Sequence, residues 1–232
     1  MTIDLVIFDC DGVLVDSEAL ACVVHADALT QFGYAITADQ VHDRFLGRSA
    51  KEARFEVETE LGHALSDDYT VHLKSEIDRV FGEQLQPLPR LKDMLPHLTQ
   101  KICVASSGTP TRIRSSLTTT GLIAHFAPNM FSAADVARGK PAPDLFLHAA
   151  TQMGVEPRRC VVIEDSIAGV NAGLAAGMTV LGFAGGSHCR PGHSQTLLAL
   201  GAHAVFDDMS QLPELIEKYG YAGAREALSL SR

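Results

Sequence analysis

Short apolar runs that each give way to a polar residue recur along the chain, at 3–8 (IDLVIF), 101–105 (KICVA), 160–163 (CVVI), 178–182 (MTVLG) and 203–206 (HAVF). Stretches with apolar residues at helical spacing separate them, near 109–120, 143–154, 166–176 and 210–219. Strands that are apolar at nearly every position are buried on both faces, and strands that alternate with helices pair in parallel. Right-handed crossovers then wind the chain into a doubly wound, Rossmann-like α/β core. Gly154, directly after a helix with Leu145, Phe146 and Ala149 on its apolar face, suits a C-terminal stop.

The region from 17 to 86 breaks this alternation, because it holds no clear strand. Ser17 is placed to N-cap a helix that runs to about Phe32 and ends at Gly33, and 38–45, 49–61 and 67–82 read as further amphipathic helices. The spacing therefore predicts a helical cap, residues 16–86, inserted into a core made of residues 1–15 and 87–232. Val15-Asp16 and Leu85 to Pro89 are the two linkers, the second stiffened by Pro87 and Pro89. Two hinges on one side of an insert make a lid.

Composition adds limits. With 232 residues, 46% of them hydrophobic, the chain can bury a full core. A formal charge of −9 leaves no basic footprint for nucleic acid or an anionic membrane, so an anionic substrate must be met by local cations or by a metal. Cys10, Cys22, Cys103, Cys160 and Cys189 are odd in number and scattered, which fits reduced thiols in a cytoplasmic protein. Asp4 interrupts the first apolar run and no basic segment precedes it, which argues against a signal peptide. From Ser166 to His188 only the histidine can carry charge, and Gly169, Gly173 and Gly177 repeat at the spacing of a membrane dimerisation face. Asn171 and the FAGGSH turn break that segment, so the glycines are expected to bring a short helix close to a sheet, and no membrane is expected. A monomer is the default expectation.

In an open α/β sheet the ligand crevice lies beyond the carboxyl ends of the strands. Asp9 sits at that end of the first strand, Ser106 follows the second run, and Glu164-Asp165 follow CVVI. Lys140 opens GKPAPDLF just before another helix. In extended chain, residues i and i+2 project to one side, so Asp9 and Asp11 can face one ligand while Cys10 points into the core. Like charges this close repel, and a hard cation with oxygen ligands relieves them; magnesium is the natural candidate, with Asp165 and Glu164 adding oxygens. Such an ion lets a carboxylate attack a phosphate. Lys140 adds a fixed positive charge, Ser106 with Ser107, Gly108 and the backbone N–H groups ahead of the next helix adds donors, and Asp11 is free to exchange a proton with the leaving oxygen. Ser106 and Ser107 also suit the N-cap of that helix.

Four stretches in order, DCDGVLVDSE, VASSGT, GKPAPDLF and VIEDSIAGVNAG, resemble the haloacid dehalogenase superfamily, and within it the β-phosphoglucomutase-like group with a small helical cap. The likeness covers nearly the whole chain. It implies that Asp9 is a nucleophile forming an aspartyl-phosphate, and that Asp11 is the general acid/base with its carbonyl on magnesium. It further implies that Ser106 and Lys140 bind the phosphoryl group, that Asp165 is the acidic metal ligand, and that Glu164 is a ligand or orients one. The FLGRS segment, with Gly47, Arg48 and Ser49, resembles the cap's specificity loop, where Arg48, helped by Lys51, would meet a carboxylate or sugar hydroxyls. The expected activity is magnesium-dependent hydrolysis of a small phosphorylated metabolite, a sugar or sugar-acid phosphate.

Two alternatives stay open at this point, a sugar phosphomutase and a non-catalytic binding protein. The mutases carry a cap-helix histidine a few residues after the first motif, whereas this chain has Glu18-Ala19-Leu20-Ala21 there and its first histidine only at His25. In SHCRPGH, His188, Cys189 and His193 have the residue types of a zinc site, but no second pair of ligands stands at suitable spacing and the segment reads as a loop.

Overall fold

The computed structural model describes residues 2–229, the last nine only as the course of a helix. Six parallel strands form one sheet in the order β3-β2-β1-β4-β5-β6: β1 Leu5–Phe8, β2 Lys101–Ser106, β3 Met130–Ser132, β4 Cys160–Glu164, β5 Thr179–Phe183 and β6 Ala204–Phe206. The doubly wound α/β expectation holds. The chain grows outward from β1 in one direction through β3, then restarts on the other side at β4, so the switch point lies between β1 and β4.

Alternation along the strands decides what faces what. Leu5, Ile7, Cys103, Ala105, Cys160 and Val162 form one apolar layer with helices α8 (Asp144–Met153) and α9 (Ile167–Ala175). Val6, Phe8, Val104, Val161 and Ile163 form the other, with α6 (Pro110–Thr119) and the start of α11 (Leu212–Ser229). Asp9 and Glu164 continue the first series, which aims both carboxylates toward α8 and α9; Cys10 continues the second and is buried, as expected.

Between β1 and β2 the chain forms α1 (Glu18–Gln31), α2 (Ala38–Phe45), α3 (Ala50–Leu61) and α4 (Asp67–Gln84). They enclose an apolar cluster of their own, including Cys22, Leu29, Val41, Val57 and Tyr69. Thr37 and Ser49 close capping boxes on α2 and α3. Ser17 does not cap α1: its backbone is already helical, with φ −92° and ψ −28°, so its hydroxyl turns instead to Asp11. The two crossings into the insert run side by side, with Asp16 N donating to Gln86 O at 3.0 Å and Leu88 N to Leu14 O at 3.0 Å.

Four short elements escaped the sequence: the edge strand β3, the turns of helix α5 (Leu91–Met94) and α7 (Ile123–Phe126), and α10 (His193–Ala199). Each spans too few residues to show a period. Of the three spaced glycines, Gly173 serves close packing, since a Cβ there would lie 2.7 Å from Val180 on β5. Gly177 instead ends its helix with φ +69°. No helix among the described residues is long and apolar enough to cross a membrane.

Candidate active site

The register fixes the site. Phe8 is level with Val104 on one side and Ile163 on the other, so Asp9 stands level with Ala105 and Glu164, with Ser106 and Asp165 one residue further out. The Asp9 N–H continues the ladder to Ile163 O at 3.0 Å, which holds its side chain at the mouth of the switch point.

Lys140 reaches the same point from the turn before α8. Its Nζ donates to Asp9 Oδ1 at 2.7 Å and to Glu164 Oε1 at 2.5 Å, and it lies 4.9 Å from the centre of the Phe146 ring. Its side chain is 4% exposed, so it is no surface lysine. Burial works against its charge, but Asp9 and Glu164 outweigh that and hold its pKa above the ordinary lysine value. Glu164 is fully buried and has both oxygens engaged: Oε2 accepts from Ser166 N at 3.0 Å and Ser166 Oγ at 2.9 Å. The same Ser166 N-caps α9, and Gly169 in its first turn leaves room for the carboxylate, since a Cβ there would fall 1.8 Å from Glu164 Cδ.

Carboxylate oxygens of Asp9, Glu164 and Asp165 lie within 4.8 Å of one another. Burial pushes the Asp9 pKa well above its ordinary value, Lys140 pulls it back, and Glu164 and Asp165 push it up again. Lys140 bonds Asp9 and Glu164 and His188 bonds Asp165, and the clustered carboxylate oxygens are hard donors of the kind that a cation such as magnesium takes.

The Asp11 carboxylate lies outside this cluster. Its Oδ1 accepts from Ser17 Oγ at 2.7 Å and from Arg112 on α6 at 3.3 Å. The turn that carries it closes through Gly12, whose N–H donates to Val15 O at 2.9 Å. Gly12 has φ +77°, and a Cβ would stand 2.1 Å from Asp165 Oδ2, so only glycine fits between the first motif and Asp165.

Ser106 is buried at the end of β2, its Oγ accepting from Gly108 N at 3.0 Å; Gly108 O in turn accepts from Ser132 Oγ at 2.7 Å. Ser107 is exposed. Neither serine caps α6: Thr109 does, because its extended backbone aims Oγ at Arg112 N, 3.3 Å away.

The structure does not bring Gly47 and Arg48 to these groups. Arg48 donates to Glu56 at 2.7 Å and to Arg44 O at 3.1 Å, both within the insert, and Lys51 is exposed. What the insert and the helices beside it bring to the crevice instead had no local signal. Arg112 bridges Asp11 to Phe81 of α4, 4.6 Å from the ring centre. Glu18 has its pKa raised to about 7, by burial first and then by Asp11 and Asp165. His25 has its pKa lowered by burial and by Arg112.

The loop after β5 ties the insert to Asp165. Ser187 donates to Asp16 through N at 3.0 Å and Oγ at 2.8 Å, and Arg190 pairs with Asp39 at 2.6 Å and Asp43 at 3.3 Å. His42 Nε2 donates to His188 O at 2.8 Å, and His188 Nε2 meets Asp165 Oδ2 at 2.9 Å. Burial opposes charge on His188, yet Asp165 and Cys189 outweigh it and raise its pKa to about 10.

A model of the haloacid dehalogenase-like hydrolases matches residues 3–177. The chain belongs to that family. It is 32% identical to the 6-phosphogluconate phosphatase of Escherichia coli over 220 residues, 94% of this chain and 97% of that protein. A conserved haloacid dehalogenase-like protein of unknown function from Agrobacterium tumefaciens superposes with a TM-score of 0.84 at 40% identity, over 93% of this chain and 98% of that one. A HAD family hydrolase from Deinococcus radiodurans, solved with bound phosphate and sodium, superposes with a TM-score of 0.79 at 28% identity, over 94% and 96% of the two chains. As a family member with named phosphatases among its relatives, the protein is a hydrolase of phosphoric monoesters.

Proposed function

We propose that the protein hydrolyses a small phosphorylated metabolite, a sugar or sugar-acid phosphate, through an aspartyl-phosphate on Asp9, beneath a lid formed by residues 16–86. The observation that carries this reading is the buried ammonium of Lys140 held 2.7 Å from Asp9 at the switch point of the sheet. Asp9 attacks phosphorus, and Lys140 offsets charge on the carboxylate and the phosphoryl oxygens. Ser106 and the N–H groups of the turn before α6 receive the remaining phosphoryl oxygens. Ser17 and Arg112 both donate to Oδ1 of Asp11, which leaves Oδ2 to exchange protons. Asp11 protonates the departing alkoxide, then takes a proton from the water that attacks the acyl phosphate, restoring Asp9 and releasing inorganic phosphate.

Magnesium, held by the carboxylates of Asp9 and Asp165 and the carbonyl of Asp11, would supply the positive charge that brings carboxylate and phosphate together. Glu164, with both oxygens engaged, orients Lys140.

The 6-phosphogluconate phosphatase relative supports a sugar-acid substrate, and the cation bonded to Asp11 is Arg112; Arg48 reaches a ligand only by leaving Glu56. The test is phosphate release from sugar, sugar-acid and nucleotide monophosphates, with Asp9→Asn as control and Arg112→Ala as probe. Release confined to sugar and sugar-acid phosphates, absent in Asp9→Asn and shifted away from the acids in Arg112→Ala, is expected. Substrate isomerised without free phosphate would move the assignment to a mutase.

A further inference from the structure

Beside the acidic cluster, the loop after β5 gathers a second set of donors of different chemistry. His188, Cys189 and His193 each present a ligand atom within 4.8 Å of the other two. The sequence offered these three without a fourth, and the fold supplies it, because Asp165 Oδ2 lies 2.9 Å from His188 Nε2.

The nitrogen-to-sulfur distance suits a tetrahedral ion. Zinc bound at about 2.0–2.1 Å to nitrogen and about 2.3 Å to sulfur sets those two atoms roughly 3.6 Å apart at the tetrahedral angle. His188 Nε2 and Cys189 Sγ are 3.5 Å apart.

A further observation points to a ligand. His193 Nε2 donates to the backbone carbonyl of Asp165 at 2.8 Å, so its Nδ1 is left for the cluster; this outer hydrogen bond is the kind that fixes the tautomer of a metal-binding histidine. His188 is 6% exposed, and its Nδ1 is the one buried side-chain polar atom among the described residues with no partner. Among the described residues its polar side-chain contacts are at Nε2, with Asp165 and Cys189, and that is the nitrogen an ion would take. The loop is pinned on the insert side by Asp16, His42, Asp39 and Asp43, which holds the donors in place before any ion arrives.

We propose that His188, Cys189, His193 and Asp165 form a binding site for a zinc-class divalent ion, separate from the Asp9–Glu164–Asp165 cluster but sharing Asp165 with it. Thiolate and imidazole favour zinc over magnesium, whereas the carboxylate cluster favours the harder ion. On binding, the Cys189 thiol and the His188 Nε2–H each release a proton to solvent. An occupied site draws Asp165 away from the acidic cluster, so zinc opposes phosphoryl transfer.

The test is a titration of the metal-free protein with cobalt(II), read by absorbance, followed by displacement with zinc. The wild type is expected to show a thiolate-to-metal charge-transfer band together with the visible bands of a tetrahedral ion, both erased by zinc. Cys189→Ala, at a half-exposed position that tolerates the change, should lose the charge-transfer band, and Cys189→Ala and His193→Ala should each weaken binding about ten-fold or more. Asp9→Asn should keep the band. Zinc inhibition of phosphate release should need at least about ten-fold more zinc in Cys189→Ala. No thiolate band, a band that survives in Cys189→Ala, or loss of the band in Asp9→Asn would overturn the proposal.

Discussion

Gly169→Ala should destabilise the protein, although alanine is the better residue in the interior of a helix. In an unconstrained helix the change gains about 1 kcal/mol. Here the added Cβ falls 1.8 Å from Glu164 Cδ, and the carboxylate must retreat by roughly 1.7 Å to reach ordinary van der Waals distance. It cannot do so and keep Ser166 N, Ser166 Oγ and Lys140 Nζ at 2.5–3.0 Å. Disrupting a buried pair of this kind costs about 3–5 kcal/mol, so the net loss is roughly 2–4 kcal/mol. At about 2–4 °C per kcal/mol for a chain this size, Tm should fall by roughly 4–16 °C. Gly82→Ala is the internal control. It too lies inside a helix, α4, but its Cβ would meet open space, and it should gain about 0.5–1 kcal/mol. Thermal unfolding of the two variants beside the wild type is the assay. A Gly169→Ala protein as stable as the wild type, or two variants that move together, would refute the claim that Glu164 is clamped between α9 and Lys140.

Lys140→Met leaves Asp9 and Glu164 buried without their cation, at a cost of about 3–5 kcal/mol near pH 8 that shrinks as acid neutralises the two carboxylates; a loss of Tm independent of pH would contradict the pairing. Glu18 titrates near 7 in the fold against 4.5 for the free group, so the native state binds the extra proton and stability falls as pH rises from about 4.5 to 7. Glu18→Gln in metal-free protein should therefore match the wild type near pH 4 and exceed it near pH 8, by at most about 3 kcal/mol; an advantage that is constant with pH would rule out this source.

Much of the core was legible because its strands are apolar at every position. Leu5 to Phe8 and Cys160 to Ile163 are buried on both faces, and burial on both faces is what an unbroken apolar run encodes. Met130–Ser132 is a three-residue strand at the edge of the sheet, half-buried at two positions, and carries no such run. Asp9, Lys140, Glu164 and Asp165 were visible because each ends or follows a strand or stands in the turn before a helix, where topology alone brings side chains to one edge. Arg112 was not, since it meets Asp11 across 101 positions of chain and reads locally as one more cation on an amphipathic helix. Ser17 was misassigned for a related reason: a serine before a helix looks like a cap, and only the backbone torsions show that its hydroxyl serves Asp11. His188, Cys189 and His193 lacked a fourth donor in sequence because that donor, Asp165, belongs to the neighbouring strand's motif.

Hydroxylamine trapping during turnover reads out whether phosphorus passes through Asp9. An acyl phosphate reacts with hydroxylamine to leave a hydroxamate on the residue that carried it, which mass spectrometry of the digested protein locates. A substrate-dependent hydroxamate on Asp9 is expected, with neither trapping nor phosphate release in Asp9→Asn. A hydroxamate on another residue, or phosphate release that survives in Asp9→Asn, would rule out Asp9 as the nucleophile.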